Sequence, residues 1–408
     1  MPSGWRMTTL EELAAQVPNA IVDGPFGSNL KLGDYVEEGV PVLQGKNITN
    51  DTFQWSDVRF ITAHKANELK RSSIRVGDIL LVKIGSIGYS AIVRDLQGFD
   101  AAIIPANLAK ITPNAAVVDL EYLHKWLTSV DAKRYLEGAA SKTAQPALSL
   151  GKIKALPVPL PPLAEQRRIA EILDRAEALR AKRRAALAQL DTLTQSIFLD
   201  LFGDPHRNQK EWPRRQMSGL FAAPPVFGSM IPPVEERRGW LALRVGNIQN
   251  WTLDLSDRKY VDLPTGAVER HSVRDGDLLL ARAIASKEHL GKCVVANPRE
   301  ERWAFDSHLM RLRFDRQQTE PEFIRHLFMT PGGRRLFLGA SRKSTVQFNI
   351  NTKEISALRI PVPPFSLQRE FAQRIALGEK LRATHRASLA EMDALFAVLQ
   401  HCAFRGEL

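Results

Sequence analysis

Residues 153–162 read IKALPVPLPP, and residues 355–364 read ISALRIPVPP. Each stretch ends in a proline run that stands directly before a long segment without proline. Because proline stops one element and can open the next helix, each stretch predicts a junction between a globular module and a helix. Two such junctions in one chain indicate an internal duplication.

Four shorter matches keep the same order in the two halves of the chain. Their offset lies between 199 (Asp78 to Asp277) and 207 (Trp5 to Trp212), as small loop insertions would produce. The matched pairs are Trp5 with Trp212, Phe26-Gly27-Ser28 with Phe227-Gly228-Ser229, Gly45–Ile48 with Val245–Ile248, and Val76–Leu81 with Asp275–Leu280. Five anchors in register predict that one module has been duplicated.

Within each half, the pattern predicts about 150 residues of short β-rich runs, then the proline run, then a long helix. Apolar runs at 79–84 and 278–283 are typical of buried strands. Residues 120–129 and 322–330 have the periodicity of short helices.

The segment from Leu163 to Phe202 has neither Gly nor Pro, and its apolar residues recur every seven positions, which predicts a coiled coil. Antiparallel pairing with the second copy would place Arg183 opposite Ser388 and Ala186 opposite His385. This polar layer either fixes the register or only snorkels to water, and both interpretations stay open. The predicted seams are Ile169, Ala176, Arg183, Leu190 and Ile197 with Ile172, Leu179, Ala186, Leu193 and Asp200, and in the second copy Phe371, Gly378, His385, Met392 and Leu399 with Arg374, Leu381, Ser388, Leu395 and Cys402.

The chain of 408 residues has a net charge of +11, which favours a polyanionic partner. Residues 1–202 carry 24 basic and 22 acidic side chains, and residues 203–408 carry 32 and 23, so the second half is the more basic. Two distant cysteines predict neither a disulfide framework nor a zinc site. The absence of a signal peptide or membrane span leads us to expect a cytoplasmic protein without a membrane partner.

The run Gln145–Ser149, followed by Ile153, Leu156 and Pro159–Gln166 before a heptad helix, resembles the conserved region of type I restriction-modification specificity subunits. The second copy, Val346–Ile350 to Pro363–Gln368, is similar but lacks the Glu of the Glu-Gln pair. The resemblance extends over essentially the whole chain. It implies an α+β protein of two mixed α/β target-recognition domains with β-rich cores. A long antiparallel two-helix coiled coil separates them in a pseudo-two-fold duplication.

In these terms we expect target-recognition domains at residues 1–158 and 204–360, and spacer helices at 159–203 and 361–408. The resemblance implies that each domain reads one half of a bipartite double-stranded DNA target. It also implies that two methyltransferase subunits dock on the helices and that a restriction motor-nuclease subunit joins them. The predicted docking residues are Glu165, Gln166, Ile169 and Gln368.

Base and phosphate contacts are expected on loops where strands end. Any one of these residues is more often a solvated charge or a turn cap than a base contact, so the prediction concerns the loops as groups. Lys46 and Asn47, with Arg244 and Asn247, are weaker candidates because repeat anchors tend to be structural. The predicted DNA-binding residues are Lys83, Ser86, Tyr89, Lys142, Thr143 and Gln145 in the first half, and Arg282, Ser286, Lys287, His289, Arg342, Lys343, Thr345 and Gln347 in the second.

The sequence contains no phosphate-binding Gly-x-x-x-x-Gly-Lys loop, no methyltransferase motif and no metal-ligand spacing of its nine histidines. We therefore predict a subunit with no catalytic residues and no cofactor. One alternative is a nuclease or methyltransferase component whose catalytic residues are not recognised. Another is a scaffold whose repeated modules bind proteins; strongly salt-dependent DNA affinity would argue against it.

Overall fold

The computed structural model describes residues 2–25, 29–142, 145–284, 291–340, 342–343 and 348–408. Contacts divide the chain into two units. The first unit contains Met1–Arg183 and Ser388–Leu408, and the second contains Arg184–Ala387. Among the described helices, none is both long and apolar enough to cross a membrane.

The first half of the chain consists of short strands, four short helices and one long helix. Its strands are β1 (Arg6–Thr9), β2 (Ile21–Asp23), β3 (Tyr35–Val36), β4 (Val40–Val42), β5 (Ile48–Thr49), β6 (Thr52–Phe53), β7 (Arg59–Ile61), β8 (Ser73–Ile74), β9 (Ile79–Val82), β10 (Ser90–Ile92), β11 (Ala102–Ile103), β12 (Leu108–Ile111) and β13 (Pro157–Leu160). Its helices are α1 (Ala63–Glu68), α2 (Leu120–Leu127), α3 (Val130–Ala139), α4 (Leu150–Lys154) and α5 (Leu163–Phe202).

The second half repeats this order. Its strands are β14 (Arg214–Gln216), β15 (Phe221–Phe227), β16 (Trp240–Leu243), β17 (Ile248–Gln249), β18 (Thr252–Leu253), β19 (Tyr260–Val261), β20 (Ser272–Val273), β21 (Leu278–Ala281), β22 (Ala283–Ile284), β23 (Cys293–Val295), β24 (Trp303–Phe305), β25 (Leu309–Phe314), β26 (Arg342–Lys343), β27 (Phe348–Asn349) and β28 (Arg359–Pro361). Its helices are α6 (Thr265–His271), α7 (Pro321–Met329), α8 (Pro331–Ala340), α9 (Thr352–Ala357) and α10 (Phe365–Ala403).

The two β-rich modules have matching sheets. In the first, an antiparallel sheet has the order β10-β9-β12-β2, and a mixed sheet has the order β3-β7-β4-β11-β8. In the second, the corresponding sheets are β15-β25-β21-β23 and β19-β16-β24-β20. One parallel pair occurs in each mixed sheet, β4 with β11 and β16 with β24. The predicted α+β architecture and its duplication are therefore confirmed.

The central strand of each module is apolar on both faces. Ile79 and Leu81 of β9 pack into one core with α2, whereas Leu80 and Val82 pack into another on the opposite face. Successive side chains of a strand point to opposite faces, so a strand between two cores reads as an unbroken apolar run. The predicted strands and short helices are confirmed as β9, β21, α2 and α7, although β9 and β21 each end two residues earlier than predicted.

The start of each module is hydrogen-bonded to the strand that precedes its long helix. Strand β1 pairs antiparallel with β13, and β14 pairs antiparallel with β28. The next residue bonds in the same way in both copies: Leu10 N–H donates to Leu156 O, and Met217 N–H donates to Leu358 O. The proline-rich junctions that reveal the duplication thus close each module on itself.

One of the five anchors is misaligned. A Cβ on Gly24 would lie 2.2 Å from Ile104 O, and a Cβ on Gly228 would lie 2.2 Å from Asp306 O. Both glycines also bond equivalent carbonyls, those of Leu108 and Leu309. Gly24 is therefore the counterpart of Gly228, because only glycine allows this close approach of two backbones. The predicted match of Gly228 to Gly27 is wrong, and residues 26–28 lie outside the described residues.

The long helices pack antiparallel within each unit, as predicted. In the first unit, Arg180 Nε donates to Asp393 Oδ1 at 2.6 Å. In the second unit, Arg382 Nη2 donates to Leu190 O at 3.2 Å and to Thr194 Oγ1 at 3.4 Å.

The second predicted seam is wrong by one position. Leu179 is 55% exposed and Leu193 is 51% exposed, whereas Leu173 is fully buried. In α10, Leu381 and Leu395 are likewise exposed, and Arg382 is buried in their place. The second buried row therefore lies four residues after each position of the first seam, and the prediction had placed it three residues after. Both spacings repeat every seven residues, so only the packing partner distinguishes them.

Candidate nucleic-acid interface

In the first unit, the structure brings together the two loops predicted to contact DNA. Leu148 N–H donates to Lys83 O at 2.9 Å, and a β-bridge joins Ile84 to Ala147. The loop that follows β9 is thus attached to the segment that precedes α4. Exposed Ser86 and half-buried Tyr89 line an open cleft of about 400 Å³ beside this junction. Lys142 and Gln145 are exposed in the joined segment, and Thr143 lies outside the described residues.

Lys83 does not extend into this cleft. Its side chain is buried, and its Nζ donates to Asp23 Oδ2 at 2.6 Å. A buried ammonium needs such a partner because desolvation of an unpaired charge is costly. We therefore correct the role of Lys83 from a DNA contact to a side chain that fixes the loop on β2.

A second lysine, which the sequence analysis did not select, lies beside the cleft. Lys133 Nζ lies 4.5 Å from the ring centroid of Tyr89 and 2.5 Å from Asp51 Oδ2. Asp51 also accepts a hydrogen bond from Ser90 N–H. Through Lys133, these contacts position the ring of Tyr89 in the lining of the cleft. Lys133 is on helix α3, far from any repeat motif, and no sequence signal identifies it.

In the second unit, the same junction is present. Ile350 N–H donates to Arg282 O at 3.0 Å, and β22 pairs with β27, which also pairs with β26. The backbone of Arg342 and Lys343 therefore lies in the sheet that carries this loop. The other predicted contacts, Ser286, Lys287, His289, Thr345 and Gln347, lie outside the described residues.

Arg282 occupies the place of Lys83 but makes different contacts. Its guanidinium lies 4.3 Å from the ring centroid of Phe227, and its Nε donates to Ser307 O at 2.7 Å. Phe227 stands where the first unit has Asp23, since Phe227 pairs with Met310 of β25 as Asp23 pairs with Ala109 of β12. An arginine held by stacking retains N–H groups for a ligand, and a planar guanidinium suits a guanine edge or a phosphate.

The weaker candidates at the repeat anchor are structural, as we expected. Asn47 accepts from Gln44 N–H and donates to the carbonyls of Gln54 and Ser56. Asn247 repeats this pattern with Arg244, Asp254 and Asp257. Each buried amide thus closes a short 3₁₀ turn. The neighbouring cations are also paired, Lys46 with Asp57 and Arg244 with Asp257.

Each module also contains a buried cation that bonds a backbone carbonyl inside the module. Lys110 Nζ donates to Ser73 O at 2.8 Å, and Arg311 Nη1 donates to Ser272 O at 2.6 Å. Burial lowers the pKa of Lys110 and lowers that of Arg311 to about 10. These two groups connect the two sheets of each module, and they account for part of the basic composition without forming a binding surface.

Three of the four predicted docking residues are structural. Gln166, Ile169 and Gln368 are completely buried within the chain. Gln166 accepts from Asp119 N–H and donates to Val117 O and Pro161 O. Gln368 likewise accepts from Glu320 N–H and donates to Pro363 O.

Asp119 and Glu320 are the N-caps of α2 and α7. Each glutamine therefore fastens a module to its long helix. A fully buried side chain offers no surface to a partner, so the docking prediction is corrected for these three residues. Of the four, Glu165 keeps an accessible side chain, which is paired with Arg168.

Within the described ranges, no group of three or more His, Cys, Asp or Glu side chains could hold a metal ion. Burial raises the pKa of the Cys293 thiol, which disfavours the reactive thiolate. The polar side chains that line the cleft of the first unit are hydroxyls, amides and a cation, a set suited to nucleic-acid edges and phosphates.

The chain matches a family described as "Type I restriction modification DNA specificity domain" over residues 2–189. It is similar over its whole length to the type I restriction enzyme EcoKI specificity subunit of Escherichia coli (strain K12), with 23% identity and 90% of that protein covered. The StySPI specificity subunit of Salmonella potsdam is 22% identical with the same coverage.

Two solved structures have the same fold. A chain from a study of complex assembly in the type I R-M system superposes with a TM-score of 0.62 at 19% identity, over 100% of this chain and 99% of that one. The S subunit of a type I system from M. genitalium superposes with a TM-score of 0.56 at 14% identity, over 98% and 96% of the two chains.

Proposed function

We propose, because this chain belongs to the family of type I restriction-modification specificity subunits, that each of its two units reads one half of a bipartite DNA target. The chain is the non-catalytic DNA-recognition subunit of its complex, and it works with methylase and restriction subunits. The finer assignments of half-sites, spacer and stoichiometry are our proposal.

One observation carries the proposal: each unit repeats the same pair of joined loops on a module fastened to a long helix. Leu148 with Lys83 and Ile350 with Arg282 make the same backbone bond. Gln166 and Gln368 make the same attachment to the helices. A chain that duplicates both its reader and its attachment has the pseudo-two-fold symmetry by which two half-sites are addressed.

The loops themselves differ between the units, as two readers of different sequences require. The first offers Ser86 and Tyr89 in its cleft, with Lys142 and Gln145 exposed in the joined segment. The second offers Arg282, and the backbone of Arg342 and Lys343 lies in the sheet that carries the same loop. The remaining five candidates lie outside the described residues. Specificity then resides in the loops, and the common frame only presents them.

We further propose that two methyltransferase subunits dock on exposed leucines of the long helices. Leu179 and Leu395 flank the Arg180–Asp393 ion pair of the first unit. Leu381 and Leu193 take the equivalent positions beside Arg382 in the second unit. An apolar group that the chain leaves exposed at the same place in both copies suits one identical partner per unit.

The docking proposal is tested by co-purification with the methyltransferase subunit. Leu395→Glu should reduce the bound methyltransferase from two copies to one, because a charge is placed in one of two apolar sites. Val76→Glu is the matched control, since Val76 is also exposed but lies on a turn between β8 and β9. Two bound copies in the Leu395→Glu complex would contradict this site.

The proposal that each unit reads one half of the target is tested by selecting the DNA duplexes that the complex binds from a pool of random sequences. The wild-type complex should select two sequence blocks separated by a fixed gap. Deleting residues 180–186 and 382–388 shortens both helices by about 10 Å, at 1.5 Å per residue, which corresponds to about three base pairs. We expect the gap to shorten by that amount while both blocks stay unchanged. A single continuous block, or an unchanged gap, would contradict the proposal.

A further inference from the structure

A second, larger cleft lies in the second unit, away from any residue that the sequence analysis selected. It has a volume of about 650 Å³ and is bounded by α5, α7, α8, α10 and the turn between β17 and β18. Four arginines line it together with Trp251 and Phe198. A concave site of this size with convergent polar groups and apolar walls has the form of a ligand pocket. The four arginines are Arg325, Arg334, Arg382 and Arg386.

Two of these arginines are used by the protein itself. Arg325 donates to Glu322 Oε2 at 2.9 Å and, through Nη2, to Trp251 O at 2.8 Å. Arg382 pairs with Glu379 and bonds the backbone of α5. These contacts neutralise Glu379, one of the two acidic residues in the lining, and the other, Asp254, accepts from Ser256 N–H.

The guanidinium groups of the other two arginines have no hydrogen-bond or ion-pair partner among the described residues. Arg334 is half-buried, its guanidinium lies 5.2 Å from the ring centroid of Trp251, and its Nε is buried without an acceptor. Arg386 is exposed and extends from α10 into the same lining. A buried donor without an acceptor is costly, so a ligand that supplies the acceptor gains the full strength of that bond.

In the first unit, the cation at the position equivalent to Arg334 is neutralised by an acidic residue of the protein itself. Lys133 and Arg334 are equivalent, because their N–H groups bond Ser129 O and Thr330 O at the same turn of α3 and α8. Lys133, however, is paired with Asp51 at 2.5 Å. The second unit has Trp251 where the first has Asp51, so the internal counter-charge is missing and an aromatic surface replaces it.

Trp251 is also held in a conformation that a bulky residue rarely adopts. Its φ is +62° and that of Asn250 is +48°, matching +58° and +50° at Asp51 and Asn50. Such a turn favours Asn, Asp or Gly, and a large side chain in it is strained. Backbone strain of this kind is found mainly at functional sites. At this position it places the side chain of Trp251 in the lining of the cleft.

We propose that the arginine cleft of the second unit binds phosphate groups. The planar guanidinium groups of Arg334 and Arg386 are suited to bidentate contacts with phosphate oxygens, and Trp251 and Phe198 supply apolar walls. The phosphates come either from a free nucleotide or from the backbone of DNA bound to this unit. The second source rests on the proposed DNA-reading function, whereas the first does not.

The test is the double variant Arg334→Gln/Arg386→Gln in the full chain. One arm measures ATP binding without Mg²⁺ by calorimetry in 150 mM salt. The other measures duplex binding by fluorescence anisotropy across a salt series. For a free nucleotide we expect at least a tenfold loss of ATP affinity with unchanged DNA binding. For backbone phosphates we expect weaker DNA binding, with a salt slope reduced by about 0.9 for each lost phosphate contact.

Arg335→Gln is the matched control, because Arg335 is the exposed neighbour on the same helix and does not line the cleft. It removes one positive charge, half of what the double variant removes, from the same helix as Arg334, and it should change neither affinity. The proposal is overturned if the double variant leaves both ATP and DNA binding unchanged, or if Arg335→Gln has an equal effect. A loss of DNA binding by both variants alike would indicate only general charge attraction. If the wild-type chain binds ATP but not DNA, the DNA-reading function fails and this site stands.

Discussion

The two units differ most clearly at two positions where a cation packs against a neighbouring element. One element is β2 or its counterpart β15, and the other is the turn between β5 and β6 or between β17 and β18. In the first unit both cations are lysines in ion pairs, Lys83 with Asp23 and Lys133 with Asp51. In the second unit both are arginines against aromatic rings, Arg282 on Phe227 and Arg334 on Trp251.

This difference shows which part of a duplicated module is free to change. The backbone bonds around each cation are kept, while the charge is neutralised internally in one unit and left available in the other. An ion pair occupies a lysine, but an aromatic ring leaves the edge of a guanidinium open to a ligand. The two exchanges contribute to the higher positive charge of residues 203–408.

The largest effect should come from breaking the buried ion pair of the first unit. Asp23→Ala leaves the buried Lys83 ammonium without its carboxylate and should lower the free energy of unfolding by about 4 kcal/mol. The matching change, Phe227→Leu, removes the ring beside Arg282 but keeps an apolar side chain against the core, so it should cost about 1 kcal/mol. Urea denaturation measures both. Equal losses would show that the two places are held in the same way.

The buried glutamines should have the next largest effect, and it should be similar in the two units, because each side chain bonds an N-cap N–H and a proline carbonyl. Gln166→Leu and Gln368→Leu each leave a buried N-cap N–H and a proline carbonyl unpaired, a loss of about 3 kcal/mol. Hydrogen exchange separates the units: Gln166→Leu should speed exchange in 79–82, and Gln368→Leu in 278–281. Full protection of both strands in either variant would contradict the attachment that we assign to these residues.

Acid should weaken the second unit through His326. The side chain is 3% exposed, and burial, with the charge of Arg325 beside it, lowers its pKa to about 3. The unfolded imidazole binds a proton near pH 6.5, so the folded state is fully favoured above that pH and loses stability as the pH falls. Between pH 7 and pH 5 this group should remove about 2 kcal/mol.

Burial also lowers the pKa of His124 in the first unit, so wild-type stability falls with acid in both units. His326→Phe isolates the contribution of the second unit. Its hydrogen exchange in 278–281 should change less between pH 7 and pH 5 than that of the wild type, after correction for the intrinsic rates. An identical pH dependence in the variant would mean that His326 does not remain neutral in the fold.

Much of the fold could be predicted because it rests on repeated local patterns. The proline junctions, the apolar runs of β9 and β21 and the seven-residue period of α5 are all visible in the sequence. The second seam could not be predicted, because spacings of three and four residues both recur every seven positions. Leu179 and Leu395 consequently changed from core residues to candidate docking residues.

The site residues were harder to predict because their environment depends on distant partners. Lys83 resembles a loop cation in the sequence, but Asp23, sixty residues earlier, removes it from the surface. Gln166 resembles a polar residue at a helix start, but it bonds the cap of α2. Lys133 and Arg334 lie on short helices that carry no motif. Their different roles follow from the residue in the neighbouring turn, Asp51 or Trp251, and this contact is not visible in the sequence.

The central claim, that each unit reads its own half of the target, is tested most directly by repeating the random-pool selection with one reader altered at a time. Ser86→Ala/Lys142→Ala should blur one sequence block, and Arg282→Gln should blur the other, each by about 1–3 kcal/mol of base preference. Lys152→Ala, an exposed charge outside the cleft, should leave both blocks intact. Loss of both blocks in one reader variant, or loss of the same block in both, would contradict the account.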